Sequence, residues 1–235
     1  MRAVILAGGE GLRLRNVVKN APKPMARIAG SPFLEYLILQ LIRWNIKEIV
    51  LSIGYKGGII KSYFGNGTKW GVKILYSEEV FPLGTGGALK KASSFIDSDR
   101  FVVMNGDSFF GADLTKLLEI HNKRNAIATI ALTSVENTSR YGSVDVNNDH
   151  EVLRFIEKDT GGYGFINGGI YLFQRNVIDM IRDGNVSLEK EVLPLLVGKE
   201  MYALTMKGAF VDIGTPDDYL NLYDKPEMLL EAIKS

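Results

Sequence analysis

The sequence predicts an α/β fold with a mixed, mainly parallel central sheet flanked by helices and a small β-rich lobe. Through the first 125 residues, short apolar runs alternate with amphipathic stretches, which is typical of βαβ units around a parallel sheet. After residue 125, several strand-like runs lie close together, which indicates antiparallel hairpins. We therefore expect one domain over 1–235, with 1–125 and 126–235 as its halves.

Each predicted element of the first half follows from its apolar spacing. The apolar run at 3–7 ends in glycines and predicts a buried strand, and apolar residues at helical spacing predict a helix over 33–44. Asp113 has the position of a helix N-cap. The other predicted strands cover 48–53, 72–76 and 101–105. The other predicted helices cover 85–95 and the stretch from the Asp113 N-cap through residue 122.

The second half is predicted to hold more strands than helices. Its predicted helices cover 187–196 and 216–230. The predicted strands cover 126–133, 142–146, 151–157, 168–173 and 209–213.

Composition excludes several classes of function. The 28 basic and 27 acidic residues nearly cancel, so no broad nucleic-acid or membrane surface is expected. The sequence has no cysteine, which excludes disulfides, thiolate metal sites and a cysteine nucleophile. The apolar run before the first glycines has five residues, too few for a signal peptide or membrane span, so we expect a cytoplasmic protein.

A glycine-rich loop follows the first predicted strand. Gly8, Gly9 and Gly11 let backbone N–H groups approach phosphate oxygens. Arg13 adds a bidentate donor, and Lys23 lies between two prolines that fix its backbone. A dinucleotide-binding dehydrogenase is the alternative, but Leu14 stands where that fingerprint needs a third glycine.

A second glycine-rich run and two aspartates are further candidate functional features. The run PLGTGGAL at 82–89 forms either a flat slot for a planar base or a simple helix-capping turn. Asp107 and Asp212 each follow a predicted strand, and two carboxylates with phosphate oxygens suit Mg²⁺. Turn chemistry is the alternative for each aspartate alone.

The motifs LAGGEGLRLR, PKPM and PLGTGGAL resemble those of the sugar-phosphate nucleotidylyltransferases, and the resemblance runs from residue 1 to about 219. It implies a Rossmann-like (GT-A-like) fold, with 1–125 mainly binding nucleotide and 126–235 mainly binding sugar. The sequence departs from the family pattern at Leu12, where threonine is usual, and at Phe81, where one branch has a second glutamate.

The resemblance also implies the roles of individual residues. Guanine presents two adjacent donors that one carboxylate accepts, for which Glu79 is the better candidate and Glu78 the alternative. The implied catalytic residues are Arg13, Lys23 and Lys158, and the implied Mg²⁺ ligands are Asp107 and Asp212. The implied nucleotide contacts are Leu6, Ala7, Gly8, Gly9, Gly11, Glu79, Pro82, Gly84, Thr85 and Gly106; the implied sugar-phosphate contacts are Gly142, Glu157, Lys158 and Asn167.

The expected partners are a nucleoside triphosphate, with GTP favoured, and a sugar 1-phosphate. Within the family, the sequence is most similar to the bacterial D-glycero-α-D-manno-heptose 1-phosphate guanylyltransferases. Mannose 1-phosphate enzymes come next, then enzymes using pyrimidine nucleotides. A non-catalytic nucleotide-sugar sensor is the alternative class, and the amphipathic C-terminal stretch could serve a homo-oligomer. His121 and His150 are expected at the surface.

Overall fold

The computed structural model describes residues 1–156 and 161–234, with the side chain of residue 234 excepted. Its strands are β1 (Arg2–Ala7), β2 (Arg27–Ile28), β3 (Ser31–Pro32), β4 (Glu48–Ile53), β5 (Lys73–Glu78), β6 (Arg100–Asn105), β7 (Ser108–Phe110), β8 (Ala128–Val135), β9 (Ser143–Val146), β10 (Val152–Ile156), β11 (Gly164–Gln174), β12 (Met201–Thr205) and β13 (Phe210–Asp212). Its α-helices are α1 (Phe33–Arg43), α2 (Gly57–Phe64), α3 (Gly84–Ala92), α4 (Leu114–Lys123), α5 (Leu193–Leu196), α6 (Pro216–Asp224) and α7 (Glu227–Lys234).

Seven strands form the central sheet, in the order β12-β8-β11-β6-β1-β4-β5. Strands β5, β4, β1 and β6 are parallel to one another. Strand β11 is antiparallel to both β6 and β8, and β12 is parallel to β8. The predicted mixed, mainly parallel sheet is therefore confirmed, and both halves of the chain contribute strands to it.

Two apolar cores cover the two faces of this sheet. In β1, Ala3 and Ile5 belong to one core and Val4 to the other, as the two-residue period of a strand requires. Helices α1, α2 and α4 pack on the first face, whereas α3 and α5 pack on the second. Helices therefore flank the sheet on both sides, which leaves the ends of its strands open.

Two small strand pairs lie outside the central sheet. Strands β9 and β10 form an antiparallel hairpin, which is the predicted lobe reduced to two strands. Strands β7 and β13 pair antiparallel, with Asp212 opposite Ser108. This second pair joins the chain after β6 to the chain before α6, and so brings distant residues together.

The structure differs from the sequence-based elements in several places. Helix α2 and the strands β2, β3, β7 and β12 were not predicted. The helix expected over 216–230 is two helices, because Pro226 cannot continue the first one. The helix expected over 187–196 begins with a π-helical turn, Leu188–Val192. Among residues 1–156 and 161–234, no helix has the length and apolarity that crossing a bilayer requires.

Candidate active site

A cavity of about 610 Å³ lies at the carboxyl ends of β1, β5 and β6. Ligands bind at this edge in open α/β sheets because the loops that follow the parallel strands meet there. Thirteen of the residues predicted from sequence line it: Leu6, Ala7, Gly8, Gly9, Gly11, Arg13, Lys23, Glu79, Pro82, Gly84, Thr85, Gly106 and Asp107.

The glycine loop after β1 packs closely against the cavity wall. A Cβ at Gly8 would lie 2.2 Å from Oε1 of Glu79, so a side chain there would displace the carboxylate. Gly11 has φ +57°, and a Cβ there would lie 2.9 Å from Cβ of Lys23. A Cβ at Gly9, by contrast, would meet no heavy atom within 4 Å. A Cβ at position 8 therefore forces the Glu79 carboxylate to move, whereas a Cβ at position 9 meets open space.

The two candidate glutamates lie in different environments. Glu79 is in the cavity, where its carboxylate accepts hydrogen bonds from the backbone N–H of Leu83 at 3.0 Å and from Oγ of Ser52 at 3.4 Å. Burial raises the pKa of Glu79 above its ordinary value. Glu78 is exposed and forms an ion pair with Lys61. Only Glu79 of the two is positioned to meet a ligand in the cavity.

The glycine-rich turn at the start of α3 supports a segment from the second half of the chain. The N–H of Gly86 donates to the carbonyl of Val186 at 2.8 Å, and the N–H of Val186 donates to the carbonyl of Leu83 at 2.8 Å. A Cβ at Gly87 would lie 2.3 Å from the carbonyl oxygen of Gly184. These glycines therefore allow residues 184–188 to form a wall of the cavity.

Sequence reasoning missed two polar residues of that wall. Oγ1 of Thr85 donates to Oε2 of Glu189 at 2.6 Å and accepts from the N–H of Leu188 at 2.8 Å. The amide of Asn185 donates to the carbonyl of Pro82 at 3.2 Å. Both Glu189 and Asn185 line the cavity. They are about 100 residues from the motif that they contact, so no local pattern could have found them.

Lys23, Asp107 and Asp212 form a charged cluster, of which Lys23 and Asp107 line the cavity and Asp212 does not. Nζ of Lys23 lies 2.7 Å from Oδ2 of Asp107. The β7–β13 pair brings Asp212 beside Asp107, and the N–H of Ile213 donates to the carbonyl of Asp107 at 3.0 Å. One oxygen of Asp212 accepts from the N–H of Gly214 at 2.6 Å.

The charges of this cluster fit a divalent cation. The pKa of the Asp212 carboxyl is raised, first by burial and then by the negative charge of Asp107, while Lys23 opposes the shift. Two neighbouring carboxylates that repel each other are relieved by a cation between them, and hard cations take oxygen ligands of this kind. The donor set therefore fits a metal that completes its coordination with phosphate oxygens.

The predicted sugar-side residues are engaged in bonds of their own. The amide of Asn167 donates to the hydroxyl of Tyr171 at 2.8 Å, and its oxygen accepts from the N–H of Gly169 at 2.9 Å. The N–H of Gly142, expected to face the sugar, donates to the carbonyl of Thr138 at 3.0 Å. Neither Asn167 nor Gly142 lines the 610 Å³ cavity. Glu157 and Lys158 lie outside the described residues.

Asn105 was also missed, although it directly precedes Gly106 and Asp107. It lines the cavity, and its buried Oδ1 has no hydrogen-bond partner among the described residues. Near it, the fully buried Tyr171 accepts a hydrogen bond from the amide of Asn167 through its hydroxyl.

The expectation that His121 is at the surface is wrong. His121 is 1% exposed, and Nδ1 lies 2.9 Å from Oγ1 of Thr129, while Nε2 lies 3.2 Å from the amide of Gln174. Burial, with a smaller contribution from the charge of Arg100, lowers the pKa of His121 to about 4. His150 lies in a turn at φ +67°. His121 joins α4 to β8 and β11, and it does not line the candidate cavity.

Comparison with known proteins identifies relatives that span nearly the whole chain. A family model described as nucleotidyl transferase matches residues 2–227. A D-glycero-alpha-D-manno-heptose 1-phosphate guanylyltransferase from Aneurinibacillus thermoaerophilus is 41% identical, over 93% of this chain and 95% of that protein. A mannose-1-phosphate guanylyltransferase from Mycobacterium tuberculosis is 38% identical over 93% of this chain, but the match spans only 62% of that longer protein.

A solved structure has the same fold. It is the crystal structure of HddC from Yersinia pseudotuberculosis complexed with GMP-PN, which is 35% identical with a TM-score of 0.83. The match covers 95% of this chain and 98% of that one.

Proposed function

This chain belongs to the nucleotidyl transferase family, and on that basis we propose that it joins GTP to D-glycero-α-D-manno-heptose 1-phosphate, giving GDP-heptose and pyrophosphate. The observation that carries this proposal is the position of Glu79. Its carboxylate faces a cavity that the glycine loop, Lys23 and Asp107 also line. A carboxylate there accepts both the N1–H and the N2–H of guanine, whereas uracil and thymine present one such donor.

The cavity supplies what transfer to the α-phosphorus requires. The sugar phosphate is already a nucleophile, so the protein's main tasks are positioning and charge neutralisation. Backbone N–H groups of Gly8, Gly9 and Gly11 would bind the triphosphate, and Arg13 with Lys23 would stabilise the departing pyrophosphate. Lys158 would hold the phosphate of the sugar, with Glu157, Gly142 and Asn167 toward its hydroxyls.

A divalent metal completes the proposed site. Enzymes of this family generally use one, and we propose Mg²⁺ held by Asp107 and Asp212. When bound, it would neutralise developing negative charge on the phosphate oxygens. Asp107 and Asp212 would hold it through their carboxylate oxygens.

Mannose 1-phosphate is the second candidate sugar. It is favoured by the 38% identity to the mycobacterial mannose enzyme over 93% of this chain. A sensor that binds nucleotide-sugars without turnover is disfavoured, because the chain retains Lys23 paired with Asp107 and keeps Asp212 on the neighbouring strand.

Pyrophosphate release tests the proposal directly. The purified protein is incubated with Mg²⁺, each of ATP, GTP, CTP, UTP and dTTP, and a panel of sugar 1-phosphates. We expect turnover with GTP, and faster turnover with the heptose than with mannose 1-phosphate. Turnover only with a pyrimidine nucleotide contradicts the role of Glu79, and nucleotide binding without any pyrophosphate release contradicts catalysis altogether.

A further inference from the structure

The contact between Lys23 and Asp107 joins two residues that the proposed function assigns to different partners. Lys23 is expected on the phosphates of the nucleotide and Asp107 on the metal, yet Nζ and Oδ2 lie 2.7 Å apart. The Lys23 side chain is 9% exposed, so the ion pair is shielded from water on the lysine side. An ammonium at this distance satisfies the carboxylate as a bound cation would.

The backbone of Lys23 is fixed, whereas its ammonium group is able to move. A turn holds the residue: the N–H of Met25 donates to the carbonyl of Pro22 at 2.8 Å, and the N–H of Ala26 donates to the carbonyl of Lys23 at 3.0 Å. Lysine carries its charge at the end of a flexible four-carbon chain. Because Lys23 and the phosphate loop line the same cavity, the ammonium has a second set of anionic partners once a triphosphate is bound.

Without the nucleotide, the protein offers a metal few ligands. In the parts of the chain that the structure describes, no group of three or more His, Cys, Asp or Glu residues is placed to hold a metal. Asp107 and Asp212 are two carboxylates, and one of them already has the lysine as its partner. Mg²⁺ is typically held by one or two carboxylates together with substrate phosphates.

We propose that Lys23 is the counter-ion of Asp107 in the metal-free protein and leaves Asp107 for the nucleotide phosphates when the triphosphate binds, so that the nucleotide makes the metal site available. This proposal rests on the proposed function. It predicts that the nucleotide binds before the metal or together with it. It also predicts that the metal binds weakly when the nucleotide is absent. Since the binding of two ligands is coupled reciprocally, the metal also strengthens nucleotide binding by the same factor.

The first test measures Mn²⁺ binding to the protein without nucleotide, by electron paramagnetic resonance of the free ion. Lys23→Met keeps the length of the side chain and removes its charge, and we expect it to tighten Mn²⁺ binding by at least about tenfold, the effect that a paired charge has on a carboxylate. Lys23→Arg keeps the charge and is expected to bind Mn²⁺ as weakly as the unmodified protein.

The matched control is Arg13→Gln. It removes a positive charge that lines the same cavity, but the charge lies on the loop after β1 rather than on Asp107. If the effect of Lys23 were only general repulsion of a cation, both substitutions would tighten Mn²⁺ binding equally, and that result would overturn the proposal. Unchanged Mn²⁺ affinity in a folded Lys23→Met protein would overturn it as well.

A second test stays informative even if Lys23→Met does not fold. Asp107→Asn frees Lys23, so we expect GTP in the presence of EDTA to bind about tenfold more tightly. Asp212→Asn removes an equal charge from the neighbouring carboxylate, which accepts a hydrogen bond from the N–H of Gly214, and is expected to change metal-free GTP binding less. Equal gains in the two variants, or none in Asp107→Asn, would contradict the exchange of partners.

These measurements separate the inference from the proposed function. Both use binding in the absence of sugar phosphate, so neither depends on turnover. An enzyme that releases pyrophosphate but shows unchanged Mn²⁺ binding in Lys23→Met retains its function and refutes the counter-ion role. A protein with no pyrophosphate release for any substrate pair refutes the function, whatever its metal affinity.

Discussion

The nucleotide side and the sugar side of the candidate site differ in what fixes their residues. On the nucleotide side, the predicted residues line one cavity, and close backbone packing at Gly8 and Gly106 determines where they lie. On the sugar side, Asn167 and Gly142 are held by hydrogen bonds within their own segments and do not line that cavity. Glycines shape the nucleotide side because they lack side chains. On the sugar side, hydrogen bonds orient the side chains and loops.

This difference indicates that the two substrates are recognised in different ways. A triphosphate and a base meet a preformed surface, because backbone N–H groups and glycines have little freedom to rearrange. The proposed sugar contacts include polar side chains such as Asn167, whose orientation depends on neighbours such as Tyr171. We therefore expect substitutions on the nucleotide side to change KM for GTP, and substitutions on the sugar side to change KM for the sugar 1-phosphate.

The largest effect is expected from Gly8→Ala on the nucleotide side, with Gly9→Ala as its control. Gly8→Ala forces the Glu79 carboxylate to move, because the new Cβ would lie 2.2 Å from Oε1. We expect kcat/KM for GTP to fall by about 10²-fold, the cost of misplacing a substrate by about 1 Å. Gly9→Ala, with no heavy atom within 4 Å of its Cβ, should keep most activity. Equal losses in both would show that packing at position 8 does not shape this side.

Replacing Glu79 should alter the choice of base. Glu79→Gln keeps the size of the side chain but loses a charged acceptor, so we expect GTP to lose roughly 30-fold in kcat/KM relative to UTP, from a charged hydrogen bond worth about 2 kcal/mol. Glu78→Gln, which alters an exposed ion pair with Lys61, is the matched control and should change little.

The same residue predicts a pH dependence. Burial raises the pKa of Glu79, so its carboxylate becomes protonated at a less acidic pH than an ordinary glutamate. A protonated carboxyl accepts only one donor of guanine well, so the preference for GTP should weaken as pH falls through that pKa. A GTP preference with the same pH profile in the unmodified protein and in Glu79→Gln would contradict this.

A smaller effect is expected on the sugar side. Asn167→Ala removes the bonds to Tyr171 and to the N–H of Gly169, which loosens the irregular stretch of β11. We expect KM for the sugar 1-phosphate to rise about tenfold, the effect of losing one hydrogen bond between Asn167 and the sugar. KM for GTP should stay the same. Asn185→Ala, on the wall of the nucleotide cavity, should show the opposite split.

The smallest effect on catalysis is expected at His121, which joins elements of the two halves of the chain. Its pKa is about 4 when folded and about 6.5 when unfolded, so the unfolded state binds more protons between these values. Stability from this residue is therefore present above pH 6.5 and is lost as pH falls toward 4, by about 3 kcal/mol in total.

Denaturant unfolding as a function of pH measures this contribution. His121→Asn should flatten the stability curve between pH 6.5 and 4 while leaving kcat at neutral pH unchanged. His150→Asn is the control, because asparagine tolerates the positive φ of that turn. An unaltered pH dependence in His121→Asn would exclude a buried neutral histidine.

The sequence predicted those features that depend on local pattern. The strand at 48–53 and the Asp113 N-cap, which accepts from the N–H of Thr115, agree with the structure. Helix α2 was missed because it begins with Gly57 and Gly58, two residues that disfavour helices. The burial of His121 was visible in principle, since Leu114, Leu117 and His121 lie on one face of α4.

The parts of the site that sequence did not reveal depend on tertiary contacts. Asn185 and Glu189 reach the cavity only because residues 184–188 pack on the glycines of α3. The pairing of Lys23 with Asp107 joins residues that are 84 positions apart. Family motifs named both residues, but neither spacing nor residue type indicates that they are partners.

The order of strands in the sheet has a consequence for the newly synthesised chain. Strands β1, β4, β5 and β6 are complete by residue 105, but β11, which covers the free edge of β6, ends only at Gln174. At ordinary rates of translation this interval lasts roughly 3–14 seconds. During it, the apolar edge around Val102 and Val103 is open to pairing with other chains. We expect a chaperone that binds extended apolar segments to improve the yield of soluble protein most when it is present during translation.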